Sequence, residues 1–399
     1  MTNWAEFDLN DPKFVANPYP VMAQLRLAGA PIWHEVMQMW LAPRHADASA
    51  VLRAKTLGRI FNPREPADIW ETFNWLHADS ILDSEPPKHT RLRSLVAKAF
   101  NRGQIDRLVP RINELVAQLI SDCQQKLNET GSFDVIADYA EPLPVMVIAE
   151  LLGVPIAEQD QLRPWSQAIV KMYEYGNTQD QQAAARAASS EFAALVTEMV
   201  EFRKKQPTAD LVTELALVEE AGEKLTLKEL IATCVLLLNA GHEASVNGFG
   251  NGFVAAMQHP DAVAILRSNP REIAATAVEE FLRFDSPLQL FERTATAETN
   301  IGGITVEVGQ KIAALLGSAN RDESVFRNAT ELDLTRDPNP QIGFGGGIHF
   351  CLGAPLARLE MAASLPALFE AFPKLELAGN PVMRPTFVLR GYESIAVTA

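Results

Sequence analysis

The chain has 399 residues, more than the ~250–300 at which a single hydrophobic core usually stops growing. Its 47% hydrophobic and 21% charged residues are typical of a globular protein and exclude a disordered, collagen-like or coiled-coil chain. The formal net charge of −15 makes the surface acidic, so we expect no nucleic acid as a partner.

Helical patterns dominate along the chain. Mixed β-branched and aromatic residues predict strands at residues 31–41. Apolar or amphipathic periodicity predicts helices, in chain order, at about residues 142–155, 181–205, 226–258, 271–284 and 355–372. A second β pattern covers residues 387–398. No repeat and no Gly/Ser linker interrupts the chain, so we expect a single mainly α-helical domain over residues 1–399 with a minor β part.

Cysteine content and hydropathy indicate the compartment. Three cysteines are too few for a disulfide framework and favour a reducing environment. Residues 1–8 lack a basic segment followed by an apolar core, so we expect no secretory leader. The most apolar stretch, residues 231–240, falls short of the roughly 20 residues that a bilayer span needs. We therefore expect a cytoplasmic protein with no membrane span.

A glycine-rich loop around Cys351 is the most informative segment. Four glycines lie within residues 343–347, and Pro355 stands in the first turn of the predicted following helix. Cys351 thus lies at a helix N-terminus, whose dipole and free amide groups favour a thiolate. An inert buried cysteine and a phosphate-binding loop are alternatives, although Ile348 replaces the last glycine of Gly-x-Gly-x-x-Gly. A lone cysteine cannot form a zinc site, but it can ligate haem iron, because the porphyrin supplies four nitrogens.

The pattern Phe344-x-x-Gly347-x-His349-x-Cys351-x-Gly353 resembles the haem-thiolate signature of the cytochrome P450 family. The resemblance runs from about residue 16 to the C-terminus. It implies the single-domain cytochrome P450 fold, a helical body with a minor β-sheet part. It also implies haem b as the cofactor, Cys351 as the iron ligand, and contacts to the haem from Phe344 and Gly353.

Basic residues elsewhere resemble the family's partners for the haem propionates. His89 and Arg93 are spaced i, i+4, which places them on one face of a helix. Arg293 and His349 resemble two further propionate partners. For each of the four, a charge on a solvated surface is the alternative.

Glu280 and Arg283 carry opposite charges at i, i+3 on an otherwise apolar helix. The plain interpretation is a surface pair that contributes a few tenths of a kcal/mol. The pair also resembles the family's buried Glu-x-x-Arg pair, for which Arg336 would be a third partner.

The segment Ala240-Gly241-His242-Glu243-Ala244-Ser245 resembles the family's oxygen-side motif, Ala-Gly-x-Asp/Glu-Thr. The resemblance implies that Ala240 contacts the haem and that Gly241 lets the helix open, although helix packing is the alternative for this glycine. Glu243 fills the acid position, whereas Ala244 replaces the usual threonine. Protons would then come through ordered water, Ser245, Glu243 or a hydroxyl of the substrate, and we favour the substrate hydroxyl.

Ten residues fall where the family's substrate pocket lies, and the cavity that they imply is apolar and suits a lipophilic substrate. Residues 69–76 are interpreted as an unusually aromatic loop, with core packing as the alternative. The ten residues are Trp70, Phe73, Trp75, Leu76, Leu237, Leu288, Leu290, Phe291, Val388 and Leu389.

Residues 88–111 are strongly basic within an acidic chain and hold one acid, Asp106. Such a face would steer an acidic electron carrier, although a self-solvated helix is the alternative. The resemblance implies a ferredoxin fed by an NAD(P)H-dependent reductase. The basic residues of this face are Lys88, Arg91, Arg93, Lys98, Arg102, Arg107 and Arg111.

These patterns together predict a haem-thiolate monooxygenase that uses dioxygen to hydroxylate or epoxidise a lipophilic molecule. Two alternatives stay open: a peroxygenase driven by hydrogen peroxide, which Ala244 favours, and a haem-binding sensor without turnover. A serine hydrolase is excluded because the chain has no Gly-x-Ser-x-Gly elbow.

Overall fold

The computed structural model describes residues 7–219 and 222–399, without the side chain of Arg102. Residues 1–6 lie outside the described part. They make up most of the segment from which we expect no secretory leader. The described residues divide into two compact units. The first unit contains residues up to 58 with 113–142 and 244–399, and the second contains residues 59–112 and 143–243.

Helices and short strands follow one another along the described chain. The helices are α1 (Pro12–Ala16), α2 (Tyr19–Leu27), α3 (His45–Arg53), α4 (Glu71–Ala78), α5 (Lys88–Ala99), α6 (Arg102–Thr130), α7 (Pro142–Leu152), α8 (Gln159–Val170), α9 (Gln179–Lys205), α10 (Leu211–Leu217), α11 (Leu227–Met257), α12 (Pro260–Ser268), α13 (Pro270–Phe284), α14 (Leu316–Ala319) and α15 (Ala354–Ala371). The strands are β1 (Ile32–His34), β2 (Met39–Ala42), β3 (Leu57–Gly58), β4 (Phe133–Asp134), β5 (Phe291–Ala295), β6 (Thr299–Ile301), β7 (Ile304–Val306), β8 (Lys311–Ala314), β9 (Glu376–Leu377), β10 (Val382–Met383), β11 (Tyr392–Ser394) and β12 (Ala396–Thr398).

All five predicted helices are present, with ends that differ by a few residues. They correspond to α7, α9, α11, α13 and α15. The first β pattern is an antiparallel hairpin of β1 and β2. The second is shorter than predicted, because residues 387–389 make only an isolated bridge and the strands begin at Tyr392.

The interpretation of residues 69–76 as a loop is wrong, because most of the segment lies in α4. Trp70, Phe73, Leu76 and His77 are buried, which is the three-to-four-residue spacing of a helix face. Aromatic residues have modest helix propensity, so composition concealed this periodicity.

The first unit is built on a five-stranded sheet of order β1-β2-β8-β5-β3. The pairs are antiparallel except β2 with β8, which run parallel with Leu41 opposite Ala313. Helix α3 packs on this sheet over a buried apolar cluster that includes Leu52, Ile312 and Leu316. In the same unit, α13 packs along α15, and this pairing holds the segment that follows Cys351.

The second unit is helical. Helix α9 packs against α4, α8 and α10, and α10 also contacts α5. The N-terminus of α9 is capped by Thr178, whose hydroxyl accepts from the backbone of Gln181 while the Gln181 side chain accepts from the backbone of Thr178. The packing of α9 against α4 brings the loop residues that precede α4 next to α9.

Candidate functional site

The Cys351 loop closes on itself just before α15. The backbone N–H of Cys351 donates to the carbonyl of Phe344 at 3.0 Å, and the Cys351 side chain remains partly accessible. Helix α15 begins three residues later at Ala354 with Pro355 in its first turn. The sulfur therefore lies beside a helix N-terminus on a tightly turned backbone.

Gly347 allows this loop to run against α3. Its φ is +66°, and a Cβ there would lie 2.5 Å from the carbonyl oxygen of Leu52. A side chain at this position would be strained by the backbone conformation and would also collide with a backbone atom. The glycine of the motif is thus explained by close packing within the first unit.

A second set of contacts holds the other side of the loop. Glu279 of α13 forms an ion pair with Arg358 of α15 and accepts from Gln341 Nε2 at 2.9 Å. The Arg358 guanidinium lies 4.4 Å from the ring centre of Phe344. Sequence reasoning did not select Glu279 or Arg358, because 79 residues separate them and no local pattern joins them.

Glu280 and Arg283 form a fully buried ion pair, not a surface pair. Both guanidinium–carboxylate contacts measure 2.7 Å, and Arg336 Nε lies 3.0 Å from the same carboxylate. Arg283 also donates to the carbonyls of Asn320, Ala329 and Glu331. The cluster therefore anchors the segment that leads into the Cys351 loop.

The remaining two cysteines lie in apolar surroundings. Burial raises the pKa of the Cys123 and Cys234 thiols to about 12, so both stay protonated at neutral pH. Burial likewise raises the pKa of Glu360, on α15, to about 8. Neither Cys123 nor Cys234 lies at a helix N-terminus, which distinguishes them from Cys351.

The basic residues singled out from the sequence lie in both units. In the first unit, Arg293 of β5 is buried and lies 4.3 Å from the ring centre of Phe291, and His349 is partly buried in the Cys351 loop. In the second unit, His89 is buried and Arg93 is partly buried, both on α5. The solvated-surface alternative does not describe Arg293 or His89.

Helix α11 is mostly buried but has one uncovered stripe. Ala240 is exposed in mid-helix, and Leu237, Gly241, Ala244 and Ser245 are partly exposed. These residues recur at spacings of three to four, which is one helix face. Sequence reasoning placed these five residues, together with Glu243, on the oxygen and substrate side.

His242 and Glu243 lie off that stripe and are buried. His242 Nδ1 lies 3.3 Å from the hydroxyl of Ser166, in a contact within the second unit. Helix α11 continues through Gly241 without a break, and a Cβ there would lie 3.3 Å from Ile148. Close helix packing therefore accounts for this glycine.

The predicted pocket residues differ in exposure. Leu288, Phe291 and Leu389 are partly exposed. Leu288 and Leu389 form an isolated antiparallel β-bridge. Leu290 and Val388 are buried in the first unit.

In the second unit Trp75 is partly exposed, and Lys228 Nζ lies 5.4 Å from the centre of its ring. Trp70, Phe73 and Leu76 are each no more than 3% exposed, so they pack in the interior of the second unit. The core-packing alternative describes these three side chains.

The comparisons with known proteins are consistent with this geometry. The family described as Cytochrome P450 matches residues 32–387. The biotin biosynthesis cytochrome P450 of Bacillus subtilis is 34% identical over 97% of each chain. The vitamin D(3) 25-hydroxylase of Pseudonocardia autotrophica is 35% identical over 100% of this chain and 97% of that one.

A crystal structure of P450BioI in complex with acyl carrier protein ligated with hexadec-9Z-enoic acid superposes with a TM-score of 0.91. It is 32% identical and covers 98% of this chain and 100% of that one. The chain belongs to the cytochrome P450 family. It has the mainly helical cytochrome P450 fold, and it is a haem-dependent P450 monooxygenase.

The residues of this P450 fit haem b. Cys351 is a single sulfur donor, and among residues 7–219 and 222–399 no group of three or more His, Cys, Asp or Glu side chains is arranged to hold a metal ion. A porphyrin supplies the four nitrogens that such a donor set lacks. No helix in the described part of the chain is long and apolar enough to cross a membrane.

The basic face of this P450 is partly neutralised by acids of the same unit. Lys88 pairs with Asp79 at 2.6 Å and Arg111 with Glu150 at 2.6 Å, and Arg91 pairs with Glu229. Burial alone would raise the pKa of Glu229, but its hydrogen bonds with Arg91 and Thr226 lower it. Arg107 and Lys98 are exposed, and Lys98 Nζ donates to the carbonyl of Glu219.

Proposed function

We propose that this P450 inserts one oxygen atom of dioxygen into a C–H or C=C bond of a lipophilic molecule. The electrons come from a ferredoxin and an NAD(P)H-dependent reductase, in the cytoplasm where such carriers are found. The whole chain, residues 1–399, acts as one haem-thiolate domain. The Cys351 loop, tightly turned at the start of α15, carries the proposal.

Haem b, when bound, activates dioxygen at its iron. Cys351 would ligate the iron, and the helix N-terminus and free amide groups beside it favour the thiolate form. Phe344 and Gly353 flank the sulfur, and Ala240 would contact the haem. Arg293, His349, His89 and Arg93 would hold the propionates by charge-assisted hydrogen bonds. Glu280, Arg283 and Arg336 fix the segment that leads to the loop.

Glu243 and Ser245 deliver protons through ordered water on the oxygen side. Ala244 leaves this route without the hydroxyl that the family usually supplies there, so a hydroxyl on the substrate completes it. Support comes from the uncovered stripe of α11, which carries Ala244 and Ser245 together. Gly241 lets the helix pack closely at this level.

The substrate is a lipophilic molecule held by apolar side chains. Leu237, Leu288, Phe291 and Leu389 supply partly exposed apolar surface. In the first unit Leu290 and Val388 are buried, and in the second unit Trp75 is partly exposed while Trp70, Phe73 and Leu76 are core residues. A relative in complex with acyl carrier protein ligated with hexadec-9Z-enoic acid, and another named as a vitamin D(3) 25-hydroxylase, are the reason to include a fatty acid and a steroid in the test panel.

The test begins with the ferric haem spectrum, titrated with a terpenoid, a steroid, a fatty acid, an aromatic compound and a macrolide. A ligand that shifts the spin state is then supplied with labelled dioxygen, ferredoxin, reductase and NADPH. We expect one labelled oxygen atom in the product. Cys351→Ser abolishes turnover, whereas Cys123→Ser, at a buried protonated thiol, retains it.

Two results contradict the proposal in different ways. Faster turnover with hydrogen peroxide than with ferredoxin identifies a peroxygenase. A ligand-induced spectral shift without product, under full electron supply, identifies a haem-binding sensor.

A further inference from the structure

Two arginines converge on the buried indole of Trp70 in the second unit. The Arg64 guanidinium carbon lies 5.1 Å from the Trp70 ring centre, and that of Arg186, on α9, lies 5.0 Å away. Arg64 also lies 5.4 Å from the ring centre of Phe73 and donates to the carbonyl of Met172. Both arginine side chains are partly exposed, whereas Trp70 is buried.

Neither guanidinium forms an ion pair with any carboxylate in the part of the chain that the structure describes. This distinguishes them from other arginines of the same unit, such as Arg59, which pairs with Asp83 at 2.7 Å, and Arg203, which pairs with Asp210 at 2.5 Å. In a chain of net charge −15, two cations on one ring without an anion stand out from the surrounding surface.

The two cations are no more than about 10 Å apart, because each lies near the same ring. Like charges at that distance repel each other, and the repulsion is stronger where water is excluded. Arg64 is partly buried, and this burial lowers the pKa of its guanidinium. An anion bound between the two guanidinium groups would remove this repulsion and gain charge-assisted hydrogen bonds.

Apolar surface lies on the same segment. Ile60 and Ile69, on either side of Arg64 in sequence, are 44% and 50% exposed. Exposed large apolar residues on the chain segment that carries Arg64 suit a molecule with a hydrocarbon chain and an anionic head.

We propose that Arg64 and Arg186, stacked on Trp70, form a subsite for the anionic head group of a lipophilic ligand. The ligand class is an acyl chain ending in a carboxylate, or an alkyl chain ending in a phosphate ester. The proposal specifies the polar end of the lipophilic substrate, so it rests on the proposed function. Arg186 is the primary contact because it makes no hydrogen bond to the backbone of any described residue, whereas Arg64 donates to the carbonyl of Met172.

The test compares dissociation constants of the holoenzyme for dodecanoate, dodecyl phosphate and 1-dodecanol, by calorimetry and by the haem spin-state shift. We expect the wild type to bind at least one anion about tenfold more tightly than the alcohol. Arg186→Gln removes this preference and leaves the affinity for 1-dodecanol within about twofold. The better-bound anion identifies whether the head group is a carboxylate or a phosphate ester.

Lys205→Gln is the matched control, since it removes one exposed cation from the same helix and should keep the anion preference. Arg186→Lys retains the positive charge and should keep part of the preference for anions. That result would show that the loss of the preference in Arg186→Gln is not caused by misfolding. Equal affinity of the wild type for anions and alcohol overturns the proposal, and so does equal weakening of all three ligands by Arg186→Gln. These binding results do not require turnover, so they are separable from failure of the proposed function.

Discussion

Ala244 is the single residue with the greatest consequence for the chemistry. It lies on the uncovered stripe of α11 beside Ser245, while the acid Glu243 is buried off that stripe. A methyl group cannot hold or pass a proton, so the hydroxyl must come from water, Ser245 or the substrate. The residue thus links the identity of the substrate to the efficiency of turnover.

We expect Ala244→Thr to raise the fraction of NADPH consumption that yields product by about tenfold for a substrate without a hydroxyl group. The reason is that the threonine hydroxyl replaces the missing proton donor. The measurement is product formed per NADPH oxidised, with and without a substrate hydroxyl.

Ala244→Val is the matched control, because valine has the shape of threonine and lacks its hydroxyl. An equal gain from valine would attribute the effect to packing. No change with threonine on a hydroxyl-free substrate would count against substrate-assisted proton delivery.

Among the elements, α13 determines how the Cys351 loop is held. One turn of this helix presents two acids with different surroundings: Glu279 pairs with the partly exposed Arg358, and Glu280 pairs with the fully buried Arg283. The Glu280 carboxylate also accepts from the backbone of Asp333 at 2.8 Å. Removing a charge inside such a cluster leaves two buried cations without compensation.

We expect Glu280→Gln to lower the free energy of unfolding by about 3–5 kcal/mol, because Arg283 and Arg336 lose their counter-charge in a dehydrated site. The measurement is urea denaturation of the holoprotein, followed by circular dichroism and haem absorbance.

Glu279→Gln, in the neighbouring position of the same helix, should cost about 1 kcal/mol or less, because its ion pair is partly solvated. If both variants lose the same stability, the buried cluster is not the anchor of this segment.

At the scale of the whole molecule, an acidic chain carries one basic segment. Acids of the same unit pair with Lys88, Arg91 and Arg111, so these three contribute less to an external field than their number indicates. Lys98 and Arg107 are exposed, so an acidic protein can approach both side chains. Such attraction acts over roughly 10 Å at 0.1 M salt.

We expect the double variant Lys98→Glu/Arg107→Glu to raise the KM for ferredoxin about tenfold at low salt and to leave kcat within about twofold. The reason is weaker steering of the donor, while the haem environment is unchanged. The measurement is the ferredoxin dependence of haem reduction, repeated at increasing ionic strength.

Lys171→Glu/Lys205→Glu changes the charge by the same amount elsewhere in the second unit. A similar rise in KM for this pair would show that net charge, not the 88–111 face, governs donor binding. An effect that does not shrink as salt is added would also argue against electrostatic docking.

The sequence predicted the long helices and the Cys351 loop because their signals are local. Apolar periodicity determines a helix over 15 residues or more, and the loop's signature falls within ten residues. The segment that includes α4 was mistaken for a loop because its burial depends on α9, which lies more than 100 residues away in the chain. The Arg64–Trp70–Arg186 cluster was missed for the same reason.

The sequence by itself determined the fold class, and it predicted Cys351 as the iron ligand and a missing hydroxyl at Ala244 from a family resemblance whose motifs have short, fixed spacings. Tertiary structure alone decided which charges are buried. The i, i+3 spacing of Glu280 and Arg283 is the same on a surface and in a core, and only packing against residues 320–339 removes water from the pair. Packing likewise paired Arg91 and Arg111 with acids from distant segments and left Arg64 and Arg186 together on one indole. The strength of a charge interaction depends on its neighbours in space.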